Sequence, residues 1–253
     1  MLSINKKKYL KSLDIKKYRQ IEKKTFVEGF RIINEALKAG LRFEQIWINE
    51  KYNNDSPNIL LFIQKLKKES IIFSFESDKD IKSVCNTKNS QGVIGLFSTK
   101  NLYNENVENF SNKIIILDQI SDPGNLGSII RTCAWFGIES ILLSESSSDI
   151  FNPKCLRSAM GGHFYIKDCI YLSDHKIIEF IKSKKYHLYC ATMDGASIYN
   201  IKPPKKWAMI LGSEAHGISS DLLFGENITI PKCGKIDSLN VSIASGIIID
   251  YLN

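Results

Sequence analysis

The sequence predicts an α/β protein in which a small α/β domain, 1–98, precedes a larger domain, 113–253, built on a mostly parallel sheet flanked by helices. Apolar runs without polar alternation recur from residue 113 onward, which is typical of parallel strands buried on both faces. Shorter strand and helix patterns alternate through residues 1–98. Between them lies a polar stretch without periodicity, Thr99–Asn112. We interpret this stretch as a linker, the alternative being a surface loop inside one domain.

The elements of the first domain follow from hydrophobic spacing and from turn residues. The N-terminus is predicted to be helical through about Ile21. A second helix is predicted over Thr25–Ala39, because apolar residues recur there near helical spacing and Gly40 can end it. Ser77–Asp80 resembles a capping box that opens a short helix to about Val84. The other predicted elements are a strand at Phe43–Glu50, a helix at Pro57–Lys68, and strands at Ile71–Phe75 and Gln91–Ser98.

The second domain is predicted to alternate buried strands with helices. Asn152 can cap a helix that begins with Pro153, and Gly161-Gly162 leads from that helix toward another strand. The predicted strands lie at 114–117, 138–143, 187–192, 207–212 and 227–230. The predicted helices lie at Leu126–Phe136, Pro153–Met160, His175–Lys184 and about Leu239–Tyr251.

The net charge of +7 is unevenly distributed along the chain. Residues 1–100 contain 20 Lys and Arg against 11 Asp and Glu, whereas residues 101–253 contain 14 against 16. A basic half joined to a near-neutral half indicates a module that binds a polyanion such as RNA. The alternative is that an abundance of Lys simply keeps the surface solvated. The asymmetry favours nucleic acid, and residues 1–24, with nine basic and two acidic side chains, are predicted to contact the phosphate backbone.

Composition argues against a membrane or metal partner. No apolar run approaches the ~20 residues that a membrane-spanning helix needs, and the N-terminus lacks the apolar segment of a secretory signal. We therefore expect a cytoplasmic protein. The six cysteines form no C-x-x-C pair, and none lies at metal-ligand spacing from a His. We expect them to be reduced and mostly buried thiols.

The most informative segment is Ile114–Gly137, where a buried strand ends in Asp118 and a Pro/Gly/Asn loop turns into a helix. α/β proteins use this arrangement to hold an anionic or nucleotide-like ligand. It sets the amide of Asn125 six residues ahead of Arg131, which we expect on the first turns of the helix. The sequence contains neither G-x-x-x-x-G-K-[ST] nor G-x-G-x-x-G, which disfavours an NTPase and a nicotinamide dehydrogenase.

Two later segments make the function of Ile114–Gly137 more specific. Three sequence blocks follow one another: N-x-G-x-x-x-R at Asn125–Arg131, G-x-E-x-x-G at Gly212–Gly217, and I-P…S-L-N-V-S at Ile230–Ser242. On these blocks the chain resembles the SpoU (TrmH-type) family of RNA ribose 2′-O-methyltransferases. The segments FVEGFRIINEALKAG and QGVIGLF of the first domain are similar, more loosely, to the ribosomal-protein-like substrate-binding domain of that family.

The resemblance implies a fold, a cofactor and an assembly. The fold would be a SPOUT-type domain whose C-terminal segment forms a deep trefoil knot, although general topology rules disfavour knots. The cofactor would be S-adenosylmethionine, bound in the knotted loops, and the protein would be a homodimer. The cofactor would be held by the backbone at Gly212 and Ile230 and by Leu239 against the adenine, with Thr192 nearby. A glycine suits position 212 because a Cβ would obstruct the close approach of a ligand.

The resemblance also implies the catalytic residues. Arg131 would act on the substrate phosphate and the 2′-hydroxyl. The family mechanism often makes this Arg a general base, but a guanidinium stays protonated in proteins. We therefore favour a bidentate phosphate clamp that also stabilises developing alkoxide charge. Asn125 and Asn240 would position the ribose or the Arg, Ser238 would cap the last helix or contact substrate, and Glu214 would hold Arg131 or a loop amide.

Two other functions compete with ribose methylation. One is an RNA-binding protein that has lost catalysis, and the presence of all five predicted catalytic residues argues against it. The other is a knotted methyltransferase that acts on an RNA base, whose motifs differ from S-L-N-V-S. His216 and His163 are predicted to have surface or packing roles only, and Glu214 has the further alternative of a structural ion pair.

Overall fold

The structure is a computed structural model that describes residues 2–52, 57–87 and 91–253. The chain folds into two compact units. The first unit comprises the residues up to Leu102 together with Phe151–Phe164, and the second comprises Tyr103–Ile150 and Tyr165–Asn253. The predicted domains differ from these units in one respect, since Phe151–Phe164 packs with the first unit although it lies within 113–253. The boundary after Leu102 falls inside the predicted linker.

The first unit is built on a four-stranded mixed sheet. The strand order is β1-β4-β2-β3, with β4 antiparallel to both β1 and β2 and with β2 parallel to β3. The strands are β1 (Lys24–Glu28), β2 (Phe43–Asn49), β3 (Phe73–Glu76) and β4 (Val93–Ser98). The helices are α1 (Ile4–Ser12), α2 (Lys16–Glu22), α3 (Phe30–Lys38), α4 (Pro57–Lys68), α5 (Asp78–Val84) and α7 (Pro153–Ala159).

Two predictions for the N-terminal part are wrong. The single N-terminal helix is divided into α1 and α2, because the chain turns after Leu13, the C-cap of α1, and is extended at Ile15, with a φ of −96° and a ψ of 125°. The predicted helix over Thr25–Ala39 is a strand followed by a helix. Its apolar spacing is helical, but Gly29 has a φ of 108°, which breaks the helix and lets Thr25–Glu28 pair with β4.

The sheet of the first unit is covered on both faces. One apolar cluster joins it to α3 and α4, through residues such as Ile33, Phe62 and Leu66. A second apolar cluster includes Leu10 of α1 and Ile81 of α5. The helix α7 contributes Leu156 to the first cluster, which explains why it belongs to this unit. The predicted caps are confirmed: the Ser77 hydroxyl accepts from Asp80 N at 3.2 Å, and Asn152 Oδ1 accepts from Lys154 N at 2.8 Å.

The second unit contains a parallel six-stranded sheet, which confirms the predicted fold class. Its order is β10-β8-β9-β5-β6-β7, and every neighbouring pair is parallel. The strands are β5 (Lys113–Leu117), β6 (Ser140–Ser144), β7 (Asp168–Leu172), β8 (His187–Ser197), β9 (Trp207–Leu211) and β10 (Glu226–Thr229). The helices are α6 (Pro123–Trp135), α8 (Asp174–Lys184) and α9 (Val241–Leu252).

The central strands are completely buried, as their unalternating sequences predict. All residues of β9 are buried, as are Ile114–Leu117 of β5. The strand expected after Gly161-Gly162 begins at Asp168, because a short 3-10 helix at Gly162–Tyr165 comes first. None of the helices in the described part of the chain is long and apolar enough to cross a membrane.

Candidate active site at the switch point of the parallel sheet

The order of the parallel sheet creates a crevice between two neighbouring strands. Starting from β5, the chain adds β6 and then β7 on one side of that strand. It then returns to the other side of β5, where it forms β8, β9 and β10. The direction of building therefore reverses between β5 and β9. Open parallel sheets bind ligands at such a switch point, outside the carboxyl ends of the strands. The loops that follow β5 and β9 carry the first two sequence blocks.

The first block enters a helix earlier than its sequence predicts. Pro123 occupies the first helical position of α6, and Asp122 Oδ1 accepts from Asn125 N at 2.9 Å as the N-cap. Asn125 therefore lies in the first turn of α6 and not in a loop. Arg131 lies two turns further along, which corrects its predicted place on the first turns.

Three side chains from three separate blocks meet at one carboxylate. Glu214 Oε1 accepts from Asn125 Nδ2 at 2.7 Å and from Asn240 Nδ2 at 2.8 Å. Asn240 Nδ2 also lies 3.1 Å from Asn125 Oδ1 as a donor. We call Asn125, Glu214 and Asn240 the amide–carboxylate cluster. Glu214 was considered as a partner of Arg131, of a loop amide or of a structural ion pair. In the structure it accepts hydrogen bonds from two side-chain amides.

The cap of the last helix is Asn240 and not Ser238. Asn240 Oδ1 accepts from Ser242 N at 3.0 Å and from Ser242 Oγ at 2.6 Å, so the helix begins at Val241. The amide of Asn240 therefore has two roles: its Oδ1 caps α9, and its Nδ2 donates to Glu214 in the cluster. Ser238 is exposed and forms no hydrogen bond with any described residue.

Arg131 is the catalytic candidate that the structure does not bring into the cluster. Its side chain is exposed, and it forms neither an ion pair nor a hydrogen bond within residues 2–52, 57–87 and 91–253. Its position on α6 is about 9 Å along the helix axis from Asn125, at 1.5 Å per residue. The guanidinium is thus an exposed positive charge without a partner among the described residues.

The G-x-E-x-x-G block forms a tight loop that presents Glu214. Ser213 and Gly217 exchange two backbone hydrogen bonds of 2.9 Å each, and Gly217 has a φ of 70°. A Cβ at Gly212 would lie 2.2 Å from the carbonyl carbon of Gly217. Only glycine fits there without moving the loop backbone. His216 is exposed, as its predicted surface role requires, and His163 is buried near Cys155 in the first unit.

The sequence analysis gave Asp118 no role beyond ending its strand, but the structure gives it one. Asp118 is fully buried, and its Oδ2 accepts from both Ser219 N and Ser219 Oγ at 2.7 Å. Gln119, with a φ of 54°, donates from Nε2 to the same hydroxyl at 2.7 Å. Asp118 therefore ties the end of β5 to the end of the Glu214 loop. The sequence feature that could have indicated this role is the position of Asp118, a carboxylate directly after the apolar run Ile114–Leu117.

The predicted cofactor residues lie on separate elements: Thr192 within β8, Gly212 after β9, Ile230 after β10 and Leu239 in the loop before α9. Residues 231–240 are all exposed, and Leu239 leaves 43% of its surface uncovered. An exposed leucine suits contact with a flat apolar ring, so Leu239 fits the adenine of S-adenosylmethionine. The space beside Gly212 is filled by the backbone of its own loop, at Gly217 and Ile218. Ile230 is half-buried. Thr192 donates from Oγ1 to Asp194 O at 2.7 Å, so its hydroxyl proton is already engaged.

The cysteines are free thiols, as predicted. Five are buried, and Cys233, in the loop before α9, is exposed. Burial raises the pKa of Cys133 to about 12, which keeps this thiol protonated and unreactive. Within the described residues, no three His, Cys, Asp or Glu side chains are grouped to hold a metal ion.

Comparison with protein families assigns both parts of the chain. A model described as the SpoU rRNA Methylase family matches residues 112–250, and one described as the MRM3-like substrate binding domain matches residues 5–95. The first match spans more than half of the chain and includes all three sequence blocks.

Individual relatives agree with this assignment. The 23S rRNA (guanosine(2553)-2'-O)-methyltransferase RlmP of Bacillus subtilis is 28% identical over 248 residues, covering 96% of this chain and 93% of its own length. An uncharacterized tRNA/rRNA methyltransferase of Borreliella burgdorferi is 31% identical, covering 80% of this chain and 96% of its own length. A solved TrmH-family putative RNA methyltransferase from Porphyromonas gingivalis superposes with a TM-score of 0.81 at 27% identity, covering 100% and 98% of the two chains.

A further solved structure agrees on the fold. An AdoMet-bound rRNA methyltransferase from Sinorhizobium meliloti has a TM-score of 0.84 at 24% identity, covering 100% of this chain and 96% of that one. The fold, the amide–carboxylate cluster and the family match lead to one conclusion. The chain belongs to the SpoU rRNA methylase family and is an S-adenosylmethionine-dependent RNA methyltransferase.

Proposed function

We propose that the protein methylates the 2′-hydroxyl of a ribose in ribosomal RNA. The observation that carries the proposal is the meeting of Asn125, Glu214 and Asn240 at the switch point, with the exposed Arg131 further along the same helix as Asn125. A Bacillus subtilis relative similar along nearly the whole chain is named for 2'-O methylation of 23S rRNA. Transfer RNA is the other candidate substrate, since the Borreliella burgdorferi relative is named for both RNA classes.

The proposed reaction depends mainly on positioning. When bound, S-adenosylmethionine supplies an electrophilic methyl group, and we assign its binding to Gly212, Ile230, Leu239 and Thr192. The residues of this chain must hold the ribose oxygen in line and stabilise the charge that develops on it. Arg131 is suited to grip the adjacent phosphate with two parallel N–H groups. It remains a cation throughout, so we assign it the role of a clamp and not that of a base.

The amide–carboxylate cluster is proposed to orient the substrate ribose. Glu214 fixes both Asn125 and Asn240, so the orientation of each amide is set before a ligand arrives. One of the two N–H groups of Asn125 Nδ2 is used by Glu214, and the other is available to a ribose oxygen. Ser238, which lies beside Asn240 and is exposed, is proposed to contact the substrate.

The test replaces the guanidinium of Arg131 with the amine of Lys, which keeps the positive charge but removes the bidentate geometry. Purified wild type, R131K and R131A are incubated with labelled S-adenosylmethionine and total RNA from a strain that lacks the gene. We expect R131K to lose at least tenfold in turnover, because Lys cannot bind a phosphate bidentately. Near-normal turnover of R131K would refute the clamp. Label recovered on a base, or no transfer by wild type, would refute ribose methylation itself.

The first unit is proposed to bind RNA through the exposed lysines near its N-terminus. Lys8, Lys11, Lys16 and Lys17 are exposed, whereas Arg19 is buried and donates to Leu13 O at 2.7 Å. Deleting residues 1–24 would also remove buried core leucines, so substitution is the cleaner test. We expect K16Q/K17Q to weaken RNA binding and to flatten its dependence on salt. An unchanged salt slope would contradict the proposal.

The homodimer is proposed to form through helices of the second unit. Trp135 of α6 is 84% exposed, and Ile243 of α9 is 57% exposed. Large apolar side chains with this exposure are typical of interaction surfaces. We expect wild type to sediment as a dimer and W135E to sediment as a monomer with unchanged secondary structure. A monomeric wild type would refute the homodimer.

The deep trefoil knot and the cytoplasmic location are also proposals. One close approach of distant segments supports the knot, because a Cβ at Gly195 of β8 would lie 2.5 Å from Asn227 O of β10. The five buried free thiols suit a reducing compartment. We expect fractionation to recover the protein with the cytoplasmic ribosomes.

A further inference from the structure

A second concave surface lies at the opposite edge of the parallel sheet, where β8 and β10 begin. It is a groove of about 330 Å³ within the second unit. Because all strands of this sheet are parallel, their starting ends lie one strand length, roughly 15 Å, from the switch point. The groove is therefore separate from the amide–carboxylate cluster. We call it the basic groove, and the side chains used below are Lys182, Lys185, Tyr186, His187, Phe224 and Glu226.

Two exposed lysines, Lys182 and Lys185, line this groove. They belong to a segment rich in lysine, since six of the 14 Lys and Arg of residues 101–253 lie between positions 182 and 206. Lys184 is paired with Glu108, and the acidic Glu226 in the groove is hydrogen bonded to His187 Nε2 at 2.8 Å. Lys182 and Lys185 are exposed and form no ion pair among the described residues, so their charge is available to an anion.

Two aromatic rings contact lysines at this groove, of which Phe224 is exposed and Tyr186 is buried. Lys182 Nζ lies 5.3 Å from the centre of the Phe224 ring, which is 38% exposed. Lys206 Nζ lies 4.5 Å from the centre of the Tyr186 ring. Proteins bind single-stranded nucleic acid with this combination, in which cations follow the phosphates and rings stack on the bases. An acidic peptide would use only the cations, so the exposed ring favours RNA.

The backbone beside Phe224 is held in place. A Cβ at Gly225 would lie 2.5 Å from Leu188 O, so the segment that carries Phe224 packs directly on β8. Tyr186 is anchored by its hydroxyl, which donates to Ser111 O at 2.6 Å. The rings and the groove between them are thus set before a ligand binds, which lowers the entropic cost of binding.

We propose that the basic groove binds a single-stranded stretch of the RNA substrate, away from the methylated nucleotide. Its lysines would contact the backbone phosphates, and Phe224 would stack on one base. The proposal rests on RNA being the substrate and adds a second contact surface on the methyltransferase unit. It predicts that groove substitutions change RNA affinity and leave the maximal rate of methyl transfer intact.

The test uses the full-length protein and fluorescein-labelled decauridylate as the probe, titrated from 50 to 200 mM salt. Two phosphate contacts account for a slope of about 1.4 in log affinity against log salt for a single strand, and K182Q/K185Q should lose that slope. F224A should weaken binding by about tenfold without changing the slope, because stacking carries no charge. Crosslinks from a 4-thiouridine decamer should map to residues 182–188 or 223–226.

Matched controls separate the groove from general charge and exposure. K167Q/K184Q removes two lysines that carboxylates already neutralise, and L223A removes the exposed apolar neighbour of Phe224. Both should bind like wild type. Equal weakening by groove and control variants would overturn the proposal, and so would unchanged affinity of K182Q/K185Q and F224A. Methyl transfer at saturating RNA is measured in parallel, so that loss of the proposed function in wild type is seen independently of groove binding.

Discussion

At the scale of single residues, the site is organised around one oxygen atom. Glu214 Oε1 receives amide protons from Asn125 and Asn240, so residues 89 and 26 positions away along the chain depend on the same acceptor. Hydrogen bonds to an ionised acceptor are stronger than neutral ones. The sequence indicated all three residues through its motifs. It does not show that Glu214 holds both amides, nor that Arg131 has no partner among the described residues.

We expect E214Q to reduce methyl-transfer turnover at least tenfold with little change in melting temperature. Gln keeps the size of the side chain but replaces the charged acceptor with a neutral amide, so Asn125 and Asn240 lose their fixed orientation. Turnover with saturating RNA and thermal melting are measured together. E50Q, a surface change in the other unit, serves as the control. Unchanged turnover in E214Q would contradict the orienting role.

Gly212 provides a second prediction at this scale. A Cβ would lie 2.2 Å from the Gly217 carbonyl carbon, whereas a Cβ at Gly234 meets no atom within 4 Å. We expect G212A to weaken S-adenosylmethionine binding by at least tenfold and to lower the melting temperature, and we expect G234A to do neither. Calorimetric titration with the cofactor measures the difference. If the two variants bound equally well, the loop geometry at Gly212 would not matter for the cofactor.

At the scale of elements, local signals located most helices and strands but not all of their ends. The capping residues Ser77 and Asn152 act as their sequences predict. The sequence predicts α6 to begin at Leu126, three residues late, because Asp122 and Pro123 resemble loop residues although they are an N-cap and a first helical residue. It predicts a helix in place of β1, because the apolar spacing there fits a helix until Gly29 interrupts it. Residues 24–28 form a strand because they pair with β4, and pairing between distant segments cannot be read from local sequence.

The N-cap of α6 leads to a prediction for this element. Asp122 accepts from Asn125 N, so the cap also holds the backbone of a cluster residue. We expect D122A to lower the free energy of unfolding by about 1 kcal/mol and to reduce turnover, whereas D122N should retain most of both. Urea unfolding and the methylation assay measure the two effects. Equal stability of D122A and wild type would show that the cap is dispensable.

At the scale of the whole molecule, chain order and spatial order differ. The segment Phe151–Phe164 leaves the second unit and packs with the first, although the sequence on both sides of it belongs to the parallel sheet. The family matches place a substrate-binding domain at 5–95 and the methylase at 112–250. The chain therefore crosses between its two units more than once, and the stability of each unit depends on residues from distant parts of the sequence.

The pH dependence of global stability yields a prediction at this scale. Burial, and then the charge of Asp168, raises the pKa of Tyr186 from 10.0 to about 12. The folded protein therefore retains this proton while the unfolded chain loses it between about pH 10 and pH 12. The free energy of unfolding should fall across this window by about 1–3 kcal/mol, at about 1.4 kcal/mol per pKa unit.

The variant Y186F tests the assignment to this phenol. It lacks the titrating group, so its stability should fall less steeply between pH 10 and pH 12, whereas Y199F, at an exposed tyrosine, should follow wild type. Urea unfolding at several pH values measures both curves. A Y186F curve parallel to that of wild type would assign the loss of stability to other groups.

The sequence by itself determined the fold class, the family, the cofactor and the three blocks that form the site, because apolar runs and motif spacing are local properties of the chain. Only the tertiary structure decided which side chains meet. Parallel strands bring the loops after β5 and β9 to one edge, where Glu214 joins Asn125 to Asn240. The same packing buries Asp118 against Ser219 and gathers lysines and aromatic rings into the basic groove. Contacts between residues distant in the chain depend on the strand order, which local sequence does not encode.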